Sequence, residues 1–142
     1  MRAIKIDPRT RTIEAIDTPA NLDDLYRLIE TDIVEAVNLG RKQMLWIDEE
    51  GLLRKEVKPF FSFVGYEDKP LCGVGVILGV DDDGDNIDTT LSVPDIFARI
   101  VWLDDIEYVG MEQSEDTVDI GGKEFARLNN KPIFRKKGEP LQ

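Results

Sequence analysis

Apolar and polar residues alternate from the start of the chain. RAIKID, with Ala3, Ile4 and Ile6 apolar, reads as a first strand, and TIEAID, with Ile13, Ala15 and Ile16, reads as its hairpin partner across the turn DPRTR. Pro8 presets the turn's dihedral after Asp7. The apolar spacing then lengthens. Leu22, Leu25, Leu28 and Ile29 recur at helical intervals behind Asn21, a candidate N-cap with Asp24 three residues on, so a helix is expected over about 21–30. Pro19 helps to stop the strand before it. DIVEAVNLG reads as a strand running to Gly40, although Ile33, Val34, Ala36 and Val37 also fit a prolonged helix.

QMLWIDEEGLLRKEV reads as a hairpin that turns at DEEG, with Gly51 at the position needing positive φ. FFSFVGY is a further strand or an irregular edge, and LCGVGVILGV, the most apolar segment, is expected as a central strand leading into a tight turn at DDDGDN. LSVPDIFARIVWL predicts a second helix over about 93–103. Ser92 is its N-cap, Pro94 lies in its first turn, Asp95 closes a capping box, and Ile96, Phe97, Ile100, Val101 and Leu103 form its buried stripe. Beyond Asp104 the pattern weakens. IEYVGM and TVDIGG read as short strands, and about the last eight residues read as disordered. The predicted class is α+β, a mainly antiparallel sheet with two helices. One domain is expected over 1–122, followed by a basic C-terminal extension over 123–142.

Composition narrows the chemistry. The chain has 142 residues, 42 % of them hydrophobic, which suits one folded domain rather than a disordered acidic chain. It has one cysteine and no histidine, so this chain alone offers neither Ser-His nor Cys-His catalysis nor a Cys/His zinc cage. Cys72, inside an apolar stretch, is expected to be a buried small hydrophobe. No apolar run reaches the roughly 20 residues that span a bilayer, and MRAIKIDPRT lacks the apolar core of a secretory signal, so a cytoplasmic protein without membrane contact is expected.

The net charge of −11 is unevenly spread along the sequence. Residues 81–122 carry 13 acids and only Arg99, whereas residues 123–142 carry two acids and six bases. The bland explanation is a solvated acidic face. The sharper one is a surface that steers a protein partner with a basic face, through Asp81, Asp82, Asp83, Asp85, Asp104, Asp105 and Glu107. Direct binding to nucleic acid is disfavoured, since both surfaces are negative.

The remaining motifs are weak. Gly73, Gly75 and Gly79 lie inside an apolar run rather than between a strand and a helix, so they suggest close backbone approach or a bulge, not a dinucleotide site. The aspartates of DDDGDN fit no register of an EF-hand loop, and a hairpin turn is the better reading. Asp48, Glu49 and Glu50 would do acid–base work only if one were buried with a raised pKa. No cofactor, no metal and no catalytic residue is therefore assigned.

IVEAVNL, WIDEEGLL and PLCGVGVILGVDDDGD together resemble an uncharacterised domain-of-unknown-function family of phage and bacterial mobile-element proteins. The correspondence runs through Glu35-Ala36-Val37, Asp48 to Gly51 and Gly73 to Asp85, and covers about residues 3–95. The resemblance implies a mobile-element setting and carries no activity. The expected function is thus a non-enzymatic, acidic accessory protein that binds a protein partner, in one version as a nucleic-acid mimic. One alternative is a carboxylate- or metal-dependent enzyme gathering Asp48 with Asp83 or Asp85. Another is a structural subunit of a homo-oligomer with Phe60, Phe61 and Phe63 at its interface, since one strand face does not absorb three such rings.

Overall fold

A computed structural model of the chain describes residues 1–64 and 69–138. The chain falls into two compact units, Met1–Asp104 and Asp105–Gln142. The division expected at residue 122 instead falls in a turn within the second unit.

In the first unit the expected opening hairpin is present as β1 (Arg2–Asp7) and β2 (Thr12–Asp17). Helix α1 (Leu22–Ile29) follows, and the Asn21 side chain accepts from the Asp24 N–H at 2.9 Å. Its C-cap, Glu30, is left-handed at φ 64, which ends the helix and leaves DIVEAVNLG free to extend. That segment becomes β3 (Val34–Gly40), paired antiparallel with β4 (Gln43–Asp48). The hairpin turn is therefore at Arg41-Lys42, not at DEEG. Residues Gly51–Leu53 form a 3-10 turn, and Gly51 does not adopt positive φ. It is small for another reason: a Cβ there would stand 3.2 Å from both Cβ and Sγ of Cys72.

FFSF forms β5 (Phe60–Phe63), and LCGVGVILGV divides into β6 (Leu71–Cys72) and β7 (Gly75–Val80). Gly65 and Tyr66, which close the expected FFSFVGY strand, lie outside the described residues. The short β8 (Asn86–Ile87) returns along β7 after the aspartate turn. Helix α2 spans only Val93–Phe97, with the predicted capping box between Ser92 and Asp95 in place. The helix expected to continue to 103 gives way to β9 (Ile100–Leu103), which pairs with β5. Ile100, Val101 and Trp102 are β-branched or aromatic, and pairing with a buried strand outweighs their helical spacing. Phe97, expected in the buried stripe, is 71 % exposed.

The main sheet is antiparallel throughout, in the order β2-β1-β7-β4-β3 with β8 added to β7, so the most apolar segment does lie at its centre. Strand alternation divides the core in two. Ile4, Ile6, Leu45, Ile47 and Ile77 face the small sheet β6-β5-β9 and Ile96 of α2. Ala3, Val76 and Leu78 face Leu25 and Ile29 of α1. Gly75 and Gly79 lie on the first of these faces, where an added side chain would crowd its neighbours. A Cβ on Gly75 would meet Leu45 Cδ1 at 2.7 Å, and one on Gly79 would meet the Asp88 carbonyl oxygen at 2.6 Å.

All three phenylalanines of β5 are buried within this unit, which corrects their expected place at a subunit interface. The strand buries both of its faces. Phe61 and Phe63 enter the core edge to face, with ring centroids 5.7 Å apart, and Phe60 points the other way.

The second unit is a two-stranded antiparallel ribbon of β10 (Ile106–Ile120) and β11 (Lys123–Lys136). The two short strands expected in IEYVGM and TVDIGG are thus one strand of 15 residues. The basic segment after 122 pairs back on it. Of the tail expected to be disordered, 139–142 lie outside the described residues. The sheet-dominated α+β class, with two helices, agrees with expectation.

Candidate functional site

Asp81 closes the β7–β8 turn rather than facing outward. Its Oδ1 accepts the N–H groups of Asp83 and Asp85, each at 2.9 Å. Asp82 pairs with Lys42 at 2.6 Å, Asp104 with Arg11, and Glu107 with Arg135 at 2.5 Å. The predicted acidic surface is thus divided between the two units, and much of it is neutralised by bases far away in sequence. By unit, Met1–Asp104 carries 21 acids and 12 bases, and Asp105–Gln142 carries 8 acids and 6 bases. The acidic excess belongs mainly to the first unit. The concentration seen over 81–122 reflects where the chain is cut, since the bases of β11 stand beside the acids of β10.

The carboxylates proposed to gather in one catalytic site do not meet. Asp48 ends β4, whose other end, Gln43, pairs with Gly79 beside the aspartate turn. Asp48 and Asp83 or Asp85 therefore sit at opposite ends of the sheet. Asp48 is the hub of a local network. Its oxygens accept from Thr31 Oγ1 at 2.8 Å, from the Glu50 N–H at 3.0 Å, and from Arg54 Nε at 3.0 Å and Nη2 at 3.1 Å. Burial alone would push this carboxyl up, but the hydrogen bonds from Arg54, Thr31 and Glu50 outweigh it and hold it below the usual carboxylate range. That direction is opposite to the one an acid–base role requires.

Beside this hub lies a pocket of about 190 Å³, lined among others by Glu30, Asp48, Arg54, Lys58 and Cys72. Of its charged groups, Asp48 is paired with Arg54 and Glu30 with Arg9. Cys72 is buried, as expected. Burial pushes its thiol up to about 11, so it is neither a ready nucleophile nor a ready ligand. Among the described residues no three acidic or thiol side chains group in a way that would hold a metal ion, and no helix is long and apolar enough to cross a membrane.

The ribbon presents a different surface. Its turn is Gly121-Gly122, with φ 61 and 84, the two positive values that a two-residue type I′ hairpin needs. The Gly122 N–H also donates to Asp119 Oδ1 at 3.0 Å. From that turn the register is unbroken to Met111↔Pro132, and a bulge follows between Tyr108 and Gly110. Alternation assigns two faces. One carries the cross-strand pairs Val118↔Phe125, Asp116↔Arg127 and Glu112↔Lys131, and Arg127 grips Asp116 through Nε at 3.0 Å and Nη2 at 2.6 Å. The other carries Asp119↔Glu124, Thr117↔Ala126, Glu115↔Leu128, Gln113↔Asn130 and Met111↔Pro132. It holds three carboxylates and no base, and Leu128 on it is 71 % exposed. Sequence reasoning counted the acids of β10 only as part of the acidic block over 81–122 and missed the ribbon itself. Two signals were available, the Gly-Gly pair and the lone Pro132 inside an otherwise extended run.

No curated protein and no solved structure matches the chain. One family does match, over residues 1–101, almost the whole of the first unit and none of the ribbon. Its description is "Domain of unknown function (DUF3846)", and the chain belongs to that family.

Proposed function

We propose that this is a non-enzymatic accessory protein that binds another protein, with the first unit supplying the stable body and the ribbon supplying the binding surface. The ribbon itself is the observation that supports this reading most. A lone two-stranded ribbon is marginally stable in water, and this one keeps Leu128, Phe125 and Met111 exposed. A chain gains nothing in solution from holding such side chains outside a core. Apolar residues set among charged ones are the composition of an interaction surface. The partner in this proposal is a protein with a basic surface, drawn by the carboxylates of the ribbon's base-free face and by the acidic excess of the body. The mobile-element setting suggested by the sequence resemblance belongs to the same proposal. In the nucleic-acid-mimic version of this reading the carboxylates imitate phosphates; the pairing of Asp82, Asp104 and Glu107 with bases weighs against it.

Affinity capture with the full chain tests the reading, set against the full chain carrying Phe125→Ser and Leu128→Ser together. A partner retained by the first and lost by the second, with unfolding of the body unchanged, is the expected result. Equal recovery of the same proteins by both would overturn it.

A further inference from the structure

Resting on that reading, we infer that the free edge of β10 between Met111 and Asp119 takes up an extended, basic peptide segment of the partner as a third strand. A type I′ turn makes its flanking pair, Ile120↔Lys123, hydrogen-bonded, and hydrogen-bonded and open pairs alternate from there. Pairs 119↔124, 117↔126, 115↔128, 113↔130 and 111↔132 are therefore open, so their backbone N–H and C=O groups point outward from the ribbon's two edges. Pro132, which has no N–H to give, falls in this outward set, as the assignment demands.

The two edges differ. Pro132 blunts the outer edge of β11, a common way to stop strand addition. The outer edge of β10 has no proline between Met111 and Asp119, and among the described residues no strand covers it. Met111, Gln113, Glu115, Thr117 and Asp119 are all exposed, and their side chains share the face that carries carboxylates and no base. Main-chain pairing along that edge supplies affinity. The charge on that face selects a strand whose alternate side chains are Lys or Arg.

The test uses the full chain and a labelled nonapeptide that alternates Lys with Val and Thr, read by fluorescence anisotropy. Thr117→Pro removes one outward N–H of β10 at an open pair, so no bond within the ribbon is lost. Ala126→Pro does the same on β11. The Lys peptide is expected to bind saturably, to lose at least tenfold in affinity with Thr117→Pro, and to change less than twofold with Ala126→Pro. A peptide with Glu in place of Lys should bind at least tenfold more weakly. Should Thr117→Pro fail to fold, Gln113→Pro poses the same question. Equal binding by Thr117→Pro, equal loss with Ala126→Pro, or no saturable binding of the Lys peptide each overturns the assignment of this edge. If the peptide fails while Phe125→Ser with Leu128→Ser still releases the captured partner, the edge is wrong and the ribbon reading stands.

Discussion

The two units are built largely from the same element, the antiparallel strand, and they use it in opposite ways. Strand β7 buries Ile77 on one face and Val76 and Leu78 on the other, all fully shielded from water. Strand β10, more than twice as long, exposes residues on both faces along most of its length. Backbone pairing already separates them: β7 is bonded along both edges, to β1 and β4, whereas β10 is bonded to β11 alone. Burial separates them further. Each fully buried apolar side chain contributes about 1.5–3 kcal/mol, and the ribbon forgoes most of that. The difference says where stability lies and which part is free to be covered by something else.

Truncating aromatic rings should expose this contrast most sharply. Phe61→Ala is expected to cost about 3–5 kcal/mol of unfolding free energy in urea, because the ring is enclosed against Phe63, Ile4 and Leu45. Phe125→Ala in the ribbon should cost under about 0.5 kcal/mol. Comparable losses from the two would break the comparison.

Asp48→Asn should come next, at about 1.5–3 kcal/mol near neutral pH, the usual worth of hydrogen bonds to a buried charged group. Its pH dependence has a definite sign. The folded carboxyl titrates below its unfolded value, so its contribution is complete above about pH 4 and is lost as pH falls through the folded pKa. Stability curves of the wild type and Asp48→Asn should therefore converge in acid. Curves that stay parallel below about pH 4 would show that the carboxylate is not the hub described.

Ser92→Ala should cost about 1 kcal/mol through the α2 capping box, seen as a lower urea midpoint at unchanged slope. Arg127→Ala is expected to have the smallest effect, under about 0.5 kcal/mol and smaller still in salt, since its pair with Asp116 is exposed. A larger loss would mean that the ribbon is stabilised as a body is.

The sequence disclosed those parts of the body whose signals are local. The opening hairpin, α1 with its Asn21 cap, the central apolar strand and the Ser92–Asp95 box all follow from spacing, caps and turn chemistry within a few residues. The failures share a cause. Arg41 and Lys42 make the β3–β4 turn at φ 52 and 60, positions where glycine or asparagine would have announced it. Ile100–Leu103 fits a helix stripe and a strand equally, and only its distant partner β5 decides. Gly51 looked like a turn glycine because its neighbour Cys72 is 21 residues away in sequence. The ribbon stayed hidden because its middle, EQSED, has no apolar alternation; it is matched pair by pair to residues such as Lys131 and Arg127. For the same reason the acidic block appeared as one surface. Charge read along a chain omits the bases that folding brings beside it.

Residue-resolved amide hydrogen exchange on the intact chain tests the division between body and ribbon most directly. The amides of Val76, Ile77 and Leu78 should exchange only through global unfolding. Those of Gln113, Glu115 and Thr117, pointing outward, should exchange close to the rate of an unprotected chain. Inward amides such as Asp116 should exchange orders of magnitude faster than β7 through local opening. Protection across β10 equal to that of β7 would contradict the division, and would place the ribbon in the stable core rather than at an exposed surface.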